Sequence, residues 1–534
     1  MPDSGIFSPP RAQADTNLLQ RGLRRGFLYL EAGLDKCFGA AWNPLYQLGA
    51  LGFFYYWVVA VSGIYIYIFF DTGTAAAYES VEYMTEEQWY LAGVMRSLHR
   101  YASDGMVLMM LVHALREYAL GHLKGPRWFT WVTGVPVLWM VVIAGISGYW
   151  LVWDQLAQYV AIATAEWLDW WAIFGDPIAR NFISPAALDD RFFTLLLFVH
   201  IMVPLLLLLV LWIHLQRISH LQINPNRGLA AGTFVMLLVL SLMVPAVSHG
   251  PADLARVPVA VNLDWFYLWA YPLMDLTSEG AVWSLAGVLT IMLAVLPWLP
   301  PRVRRQPAEV SLSNCNGCGR CAADCPYSAI LMRPRSDGLP FDTEAVVTPA
   351  LCVSCGICAG ACPTSTPFRR KSDLIPGIDL IDAPLRDLRA RIELLSGELS
   401  EGPRVLLFGC EHGAALETFS GKGVAVVALP CIAALPPSFI DYVLSRDLAE
   451  GVLLTGCRKG DCYNRHGIDW TEARLAGTRD PYLRTRVPRE CIEVLWAADS
   501  DRADLLESLE AFRRRLSVQE KTKEPPRPKV ESHV

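Results

Sequence analysis

Two pairs of histidines lie inside apolar segments, and both pairs have the same spacing. His99 and His113 are 14 residues apart, and so are His200 and His214. Because 14 residues turn an α-helix almost four times, both members of a pair face the same direction. A rise of about 1.5 Å per residue separates them by roughly 21 Å. Two such helices side by side would offer two bis-histidine sites, which suits two haems stacked across a hydrocarbon core about 30 Å thick.

Glycines repeat this spacing on two other apolar segments. They are Gly49 and Gly63 on one, and Gly134 and Gly148 on the other. A macrocycle lying against a helix needs a position without a side chain, once per haem. The shared spacing favours haem over the alternative, in which buried histidines only form hydrogen bonds within a helix bundle. The sequence has no Cys-x-x-Cys-His motif, so we expect the haems to be bound non-covalently.

The membrane half resembles cytochrome b of the quinol-oxidising complexes over about residues 30–300. The segment Arg96-Ser-Leu-His99-Arg100 resembles the second helix of that family. The resemblance implies that Arg96 and Arg100 meet haem propionates. It also implies a helical bundle that reacts with quinone, with a homodimer as a possible assembly.

Two places could bind quinone by the same resemblance. Asp264-Trp-Phe-Tyr267 resembles the family's Pro-Glu-Trp-Tyr element, with Leu263 and Asp264 in place of Pro and Glu. His220, close to Asn224-Pro-Asn226, resembles the reductive site. The alternative for Asp264 and Tyr267 is packing without turnover, and for His220 it is an interfacial histidine on a basic loop.

Composition indicates several domains and a membrane location. The chain has 534 residues, 53% of them hydrophobic, and a mean hydropathy of +0.30. This is too long for one domain and too apolar for a purely soluble one. No cleavable signal peptide is visible in the polar segment 1–44. We predict six spans, near 45–70, 90–117, 129–153, 191–216, 229–248 and 281–299.

The distribution of Lys and Arg gives the orientation of these spans. Lys and Arg concentrate before the first span, in alternate connections and after the sixth span. The positive-inside rule then puts both termini on the cytoplasmic side of an inner membrane. The second and fourth spans both run inward, so His99 and His200 would bind the outer haem and His113 and His214 the inner one. The net charge of −6 says little about partners, and no basic stripe suited to nucleic acid is present, so we expect none as a partner.

Thirteen of the fourteen cysteines follow residue 300. Residues 315–326 read Cys-x-x-Cys-x-x-Cys-x-x-x-Cys-Pro, and residues 352–363 repeat this spacing. It is the spacing of two-cluster bacterial ferredoxins, in which the fourth cysteine binds the other cluster. The alternative is a zinc ribbon, which has paired Cys-x-x-Cys knuckles. The predicted 4Fe–4S ligand sets are Cys315, Cys318, Cys321 and Cys362, and Cys352, Cys355, Cys358 and Cys325.

Three later apolar runs each end in cysteine, at Cys410, Cys431 and Cys457, and Cys462 follows. Helical stretches separate the runs, which indicates a parallel α/β sheet with four thiols at its carboxyl edge. An iron–sulfur site is plausible there. Cys491 begins a fourth run, so we expect it at the opposite edge as a structural residue, and we expect Cys37 to bind no iron.

This module resembles the delta subunit of methanogen hydrogenases that serve heterodisulfide reductase. The resemblance lies in the segments Leu429-Pro-Cys431 and Gly456-Cys-Arg-Lys-Gly-Asp-Cys-Tyr463. It implies a 2Fe–2S cluster on Cys410, Cys431, Cys457 and Cys462. The family usually has a second cysteine close to the first one. This sequence departs from that pattern, because Gly413 follows Cys410-Glu-His412. The alternative is an α/β domain with chance cysteines or zinc.

The predicted fold is therefore multidomain. A six-span, all-α haem bundle is followed by a ferredoxin-like α+β domain and a small parallel α/β iron–sulfur domain. The predicted boundaries are 1–44 for an amphipathic N-terminal segment, 45–300 for the membrane domain, 306–371 for the ferredoxin, 372–402 for a linker with one helix, 403–500 for the delta-like domain and 501–534 for a helix and disordered tail.

The sequence predicts sites for electron-carrying cofactors but no substrate site of its own. No Gly-x-Gly-x-x-Gly follows a strand, and no Walker loop is present. The leading hypothesis is the quinone-reactive membrane subunit of an oxidoreductase complex, fed by a soluble cytoplasmic flavoprotein. One alternative is the membrane anchor of a hydrogenase or heterodisulfide-reductase-type bifurcating complex. The other is a tether without turnover, which would need no redox wire.

Overall fold

The computed structural model describes residues 17–173, 175–182, 188, 190–256, 260–300, 305–368 and 374–523. These residues form two compact units. A helical unit contains residues 41–216 and 221–300. A cysteine-rich unit contains residues 17–40 and 217–220 together with the described residues after 300.

The helical unit is built from long apolar helices joined by shorter amphipathic ones. Its helices are α2 (Leu48–Phe69), α3 (Ala76–Glu86), α4 (Val94–Ala119), α5 (Trp128–Val152), α6 (Gln155–Asp169), α7 (Asp190–Leu215), α8 (Arg227–Met243), α9 (Ala270–Leu276) and α10 (Glu279–Val295). The prediction left the segment between the third and fourth spans as a connection. The structure places helix α6 there, and it buries an apolar face rich in alanine.

Four segments among the described residues are long and apolar enough to span a membrane, and they contain α2, α5, α7 and α10. Helix α4 is also long, but it carries Arg96, Arg100, Asp104 and other charged residues. Helix α8 is apolar but has only 17 residues. A multi-pass membrane region is therefore established, whereas the count of six spans stays a prediction. Helix α2 packs chiefly against α4, and α5 packs chiefly against α7.

In the cysteine-rich unit, the ferredoxin part consists of two small antiparallel ladders and two one-turn helices. Strands β1 (Ala308–Val310) and β4 (Ile378–Leu380) pair with each other, and so do β2 (Ile330–Pro334) and β3 (Thr343–Val347). Helices α11 (Arg320–Asp324) and α12 (Ile357–Ala361) each follow a glycine with a left-handed backbone and end just before a cysteine. This arrangement returns the chain quickly, so that cysteines distant in sequence come together.

The last part of the chain folds around a four-stranded sheet in the order β6-β5-β7-β8, with every pairing parallel. The strands are β5 (Val405–Cys410), β6 (Val424–Leu429), β7 (Gly451–Gly456) and β8 (Ile492–Trp496). Helices α13 (Leu385–Glu398) and α14 (Pro437–Ser445) cover one face, and α16 (Arg502–Lys523) covers the other. The remaining helix, α15 (Gly467–Ala476), follows the last cysteine of this group. The parallel α/β prediction is confirmed for this sheet.

The described elements can be set beside three of the predicted segments. In residues 374–402, β4 pairs with β1, and the apolar face of α13 is buried in the shared core. Helix α16 continues to Lys523, and the rest of the predicted tail lies outside the described residues. In the N-terminal segment, α1 covers Leu18–Phe38, and residues 1–16 lie outside the described part.

Candidate functional site

The first histidines of the two predicted pairs face each other in the helical unit. The ring centroids of His99 on α4 and His200 on α7 are 6.3 Å apart. A metal–imidazole bond is about 2 Å long, and the ring centroid lies about 1 Å behind the nitrogen, so two axial imidazoles on one iron have centroids roughly 6 Å apart. The observed separation therefore fits one iron between the two rings.

Hydrogen bonds hold each of these rings by its Nδ1 atom. His99 Nδ1 donates to the carbonyl oxygen of Val59 at 3.0 Å and lies 3.2 Å from Ser62 Oγ. His200 Nδ1 donates to the carbonyl oxygen of Ala144 at 3.1 Å and lies 3.2 Å from Ser147 Oγ. Since a carbonyl oxygen can only accept, the proton sits on Nδ1 and the Nε2 lone pair is left for a metal.

The second pair of histidines, His113 and His214, lies 14 residues further along the same two helices. His214 Nδ1 lies 3.1 Å from Thr133 Oγ1, and a hydrogen bond to the backbone of Thr130 also holds the ring. His113 is close enough to His214 for the two rings to interact electrostatically. These positions bring together His113 and His214, as the sequence predicts.

The four predicted glycines each face one of the four histidines. A Cβ atom on Gly63 would lie 2.9 Å from Cε1 of His99, and one on Gly148 would lie 2.9 Å from Cε1 of His200. The corresponding distances are 3.6 Å from Gly49 to His113 and 3.4 Å from Gly134 to His214. The sequence argument predicted that these glycines make room for the haem macrocycle. In the structure they also make room for the imidazole rings of the neighbouring helix.

Arg96 and Arg100, predicted to meet haem propionates, already have protein partners. Arg96 donates to Ser248 Oγ at 2.8 Å and to Thr85, and its guanidinium lies 3.7 Å from the carboxylate of Glu82. Arg100 lies over the Tyr149 ring and forms an ion pair with Asp264 at 3.4 Å.

The proposed outer quinone residues lie in one polar cluster. The Asp264 carboxylate is almost fully buried and accepts hydrogen bonds from Tyr149 and from the backbone amide of Phe266. The Tyr267 hydroxyl lies 2.5 Å from Ser103 Oγ and donates to the Ser103 carbonyl oxygen at 3.0 Å.

Asp104 is a member of this cluster that the sequence argument missed. Its carboxyl group lies 3.7 Å from Arg100, which also forms the ion pair with Asp264. The signal was available in the sequence, because an ionisable residue inside an apolar segment is a functional candidate by itself.

His220, the other quinone candidate, belongs to the cysteine-rich unit. Its Nε2 bonds to the carbonyl oxygen of Ala323, between two predicted cluster ligands. Its ring contacts His466 and Trp470 edge-on. These contacts give His220 a place beside the ferredoxin, so we favour Asp264 and Tyr267 as the quinone candidates.

In the ferredoxin, the thiols come together in the crossed arrangement. Cys321 interacts with Cys315, Cys318 and the distant Cys362. Desolvation, and then the neighbouring thiols, raise the pKa of Cys321 to about 12. Buried thiols at such short range can be thiolates only if a metal supplies positive charge, which fits an iron–sulfur cluster.

The second predicted set behaves in the same way. The Cys358 thiol interacts with Cys355, Cys352 and Cys325 of its own set and also with Cys321 of the other, and its pKa is raised well above the usual value, first by burial. Backbone amides donate to the sulfur atoms of this set, from Ala329 to Cys325 at 3.3 Å and from Ala308 to Cys352 at 3.5 Å. Hydrogen bonds of this kind are typical of cluster ligands.

The four thiols of the delta-like module form a closed ring at the carboxyl ends of the strands. Cys410 is within hydrogen-bonding reach of Cys431 and Cys457, and Cys462 is within reach of the same two. A Cβ atom on Gly467 would lie 2.4 Å from the Cys431 sulfur, so only glycine leaves room there. Cys491 directly precedes β8 and packs against the core on the α16 face of the sheet. The sequence argument expected it at the edge opposite the carboxyl ends of the strands.

Among the described residues, no group of three or more His, Cys, Asp or Glu side chains is arranged to hold a single metal ion. The sequence argument also missed the residues that support the ligands. A hydroxyl residue directly precedes three of the four glycines, namely Ser62, Thr133 and Ser147. This repetition was a usable signal. The stacking of His412 on Tyr463, with centroids 3.4 Å apart, had no comparable signal.

Three family models match successive parts of the chain. Residues 34–222 match the model described as cytochrome b/b6/petB. Residues 314–366 match a 4Fe-4S dicluster domain, and residues 414–518 match the delta subunit of methyl-viologen-reducing hydrogenase. Each of the three predicted resemblances is confirmed. The last match starts after Cys410 and ends within α16.

A solved structure described as a hyperthermophilic respiratory Complex III is also similar to this chain. The two are 18% identical with a TM-score of 0.40, and the match covers 48% of this chain and 75% of the other. The family matches themselves imply haem and 4Fe–4S clusters. Together with the apolar helices, they describe a multi-pass membrane electron-transfer subunit.

Alanine at the tightest glycines should disturb one histidine pair. In Gly63→Ala and Gly148→Ala, the new methyl group would press on His99 or His200 at 2.9 Å, which costs about 1–3 kcal/mol in a packed site. We expect a shifted or weakened signal from one haem in reduced-minus-oxidised spectra. Gly49→Ala, with 3.6 Å available beside His113, should disturb its haem signal less. Equal effects of all three variants would contradict this packing argument.

Cysteine variants should separate ligand from structural cysteines in the delta-like module. Cys457→Ala removes a member of the thiol ring, so we expect the iron of that site to be lost while the ferredoxin iron remains. Cys491→Ala is the matched control and should retain all the iron, because this residue lies at the other edge of the sheet. Iron and acid-labile sulfide analysis measures both. The same loss from both variants would refute the assignment.

Proposed function

We propose that this chain is the quinone-reactive membrane subunit of an oxidoreductase complex of the inner membrane, with both termini in the cytoplasm. Electrons would pass between a soluble cytoplasmic flavoprotein and the quinone pool. The observation that carries this proposal is the 6.3 Å separation of the His99 and His200 rings, each held by Nδ1 with Nε2 free for a metal. A tether without turnover would have no use for such a site.

The proposed cofactors follow from the residues brought together. His99 and His200 would hold one haem b, and His113 and His214 the other. The crossed cysteine sets would hold two 4Fe–4S clusters, and the ring of four thiols would hold a 2Fe–2S cluster. When bound, these groups carry single electrons, and the protein sets their order and environment. The chain itself supplies the ligands, the hydrogen bonds to them and the exclusion of water.

At the proposed quinone site, the protein's role is to bind the ring and move protons. The Tyr267 hydroxyl would donate a hydrogen bond to a quinone oxygen in place of its bond to the Ser103 carbonyl oxygen, and the Asp264 carboxylate would accept a proton from a quinol. Arg100 forms an ion pair with Asp264 at 3.4 Å and lies 3.7 Å from the carboxylate of Asp104. His220 remains a second candidate for quinone contact.

A second candidate function is the membrane anchor of a hydrogenase or heterodisulfide-reductase-type bifurcating complex. The match of residues 414–518 to a hydrogenase delta subunit favours it. The soluble protein that co-purifies with the chain distinguishes the two functions, because a flavoprotein dehydrogenase supports the first and a hydrogenase the second.

Quinone reactivity can be tested by reoxidation of the haems. The purified complex is reduced through its soluble partner, a quinone analogue is added, and the haem absorbance is followed. We expect reoxidation in the wild type, and about 10²–10⁴-fold slower reoxidation in Asp264→Asn, the usual loss when a positioned proton acceptor is removed. Tyr267→Phe should also slow it, whereas Asp253→Asn, at an exposed aspartate of the same connection, should not.

Each outcome of that experiment bears on a different claim. A wild-type complex whose haems are not reoxidised by quinone would refute the proposed function. Normal rates in both Asp264→Asn and Tyr267→Phe would refute the assigned site alone. In that case, slow reoxidation in His220→Ala would move the site to the other candidate.

A further inference from the structure

A single buried arginine joins three cysteine-bearing loops of the cysteine-rich unit. Arg474 on α15 is 1% exposed. Its Nη2 donates to the Asp324 carboxylate at 2.6 Å and to the carbonyl oxygen of Ile357 at 3.5 Å, and its Nη1 donates to the carbonyl oxygen of Ala433 at 2.9 Å. Arg474 comes from the delta-like module, whereas Asp324 and Ile357 belong to the ferredoxin.

Each of these three contacts lies beside a proposed iron ligand. Asp324 directly precedes Cys325, Ile357 directly precedes Cys358, and Ala433 follows Cys431 by two residues. The ferredoxin and the delta-like module lie close together here, because a Cβ atom on Gly360 would lie 2.0 Å from the Ala433 oxygen and 2.9 Å from Nη1 of Arg474. Three loops that carry ligands of two proposed clusters are thus fixed to one guanidinium group.

The charge at this point is not fully balanced. The other partner of Asp324 is Arg479, whose Nε donates to it at 2.8 Å and whose guanidinium lies 3.5 Å over the Trp470 ring. One carboxylate therefore faces two guanidinium groups. Arg474 also interacts electrostatically with the Cys431 thiol, and Cys355 of the ferredoxin interacts with the same thiol. The net positive charge lies where the proposed 2Fe–2S and 4Fe–4S sites approach each other.

A purely structural ion pair is the simpler explanation, but it accounts poorly for the position. Apolar residues of similar volume often stabilise a core as well as a buried ion pair does. In contrast, the potential of an iron–sulfur cluster depends directly on nearby charge and on hydrogen bonds. A positive charge in a dry interior favours the reduced form, since reduction adds one negative charge.

We propose that Arg474 is a positioning residue for electron transfer between the delta-like module and the ferredoxin. It would hold the site of Cys410, Cys431, Cys457 and Cys462 beside the site of Cys325, Cys352, Cys355 and Cys358, and its charge would raise the reduction potentials of both. In the step itself, one electron leaves the first cluster, which is oxidised, and enters the second, which is reduced. No bond forms or breaks, and Arg474 stays protonated throughout.

This inference rests on the proposed function only in taking these cysteines as iron ligands. The test is a potentiometric titration of the purified full-length protein with dithionite, followed by electron paramagnetic resonance, with no quinone present. The 2Fe–2S and 4Fe–4S signals can then be followed separately. The variants are Arg474→Gln, Arg474→Lys and Asp324→Asn, with Arg484→Gln as a control, because Arg484 is a half-exposed arginine of the same module that pairs with Asp441 instead.

The expected shifts have opposite signs. Arg474→Gln removes a positive charge and should lower the midpoint potentials of the 2Fe–2S cluster and the nearer 4Fe–4S cluster. Asp324→Asn removes a negative charge and should raise them. Arg474→Lys keeps the charge but loses the fork of hydrogen bonds, so its potentials should stay closer to those of the wild type while electron exchange between the clusters slows. Arg484→Gln should change neither.

Several results would overturn the proposal. Unchanged potentials in both Arg474→Gln and Asp324→Asn would do so, and so would shifts of the same sign, which a common structural disturbance produces. If Arg474→Gln loses iron, its potentials cannot be compared with those of the wild type, and Asp324→Asn becomes the deciding variant. Midpoint potentials that do not rise in Asp324→Asn refute the role of charge. Wild-type protein without any cluster signal would instead refute the proposed cofactors. Failure of quinone to reoxidise the haems would leave this inference unaffected.

Discussion

The helical unit depends on one packing constraint, which is that a glycine on one helix must face a histidine on the next. The imidazole of each histidine lies against a position without a side chain, and at Gly63 and Gly148 even a methyl group would be too close. This contact sets the distance between α2 and α4 and between α5 and α7. The rings of His99 and His200 are hydrogen-bonded through Nδ1, which leaves their Nε2 lone pairs for a metal. The 6.3 Å separation of His99 and His200 is the outcome.

In the cysteine-rich unit, the corresponding constraint is electrostatic. Buried thiols gather in three groups, and desolvation raises the pKa of Cys321 and Cys358. Such groups become stable ligand sets only with a metal that offsets the charge of the thiolates. The buried guanidinium of Arg474 adds a fixed positive charge at the junction of the loops. Ligand geometry and local charge are thus determined by neighbouring residues of the same short segments.

Much of this arrangement could be predicted from the sequence, because periodicity and spacing are local signals. The 14-residue interval fixed which helix face each histidine occupies, and cysteines at strand ends gave the carboxyl edge of the sheet. What could not be predicted depends on contacts between distant segments. The cluster of Asp104, Arg100 and Asp264, the burial of α13 and the link from Arg474 to Asp324 arise only when separate elements pack. His220 illustrates the same limit, since a family resemblance suggested a quinone site while its contacts are with Ala323 of the ferredoxin and with His466 and Trp470 of the delta-like module.

The central claim is that four histidines of this chain hold two haems. The most direct measurement is the haem content of the purified protein by the pyridine haemochrome method, for the wild type and for His113→Ala. The account predicts two b-type haems per polypeptide in the wild type and one in the variant, with the haem of His99 and His200 retained. One haem or none in the wild type, or two in His113→Ala, would contradict it.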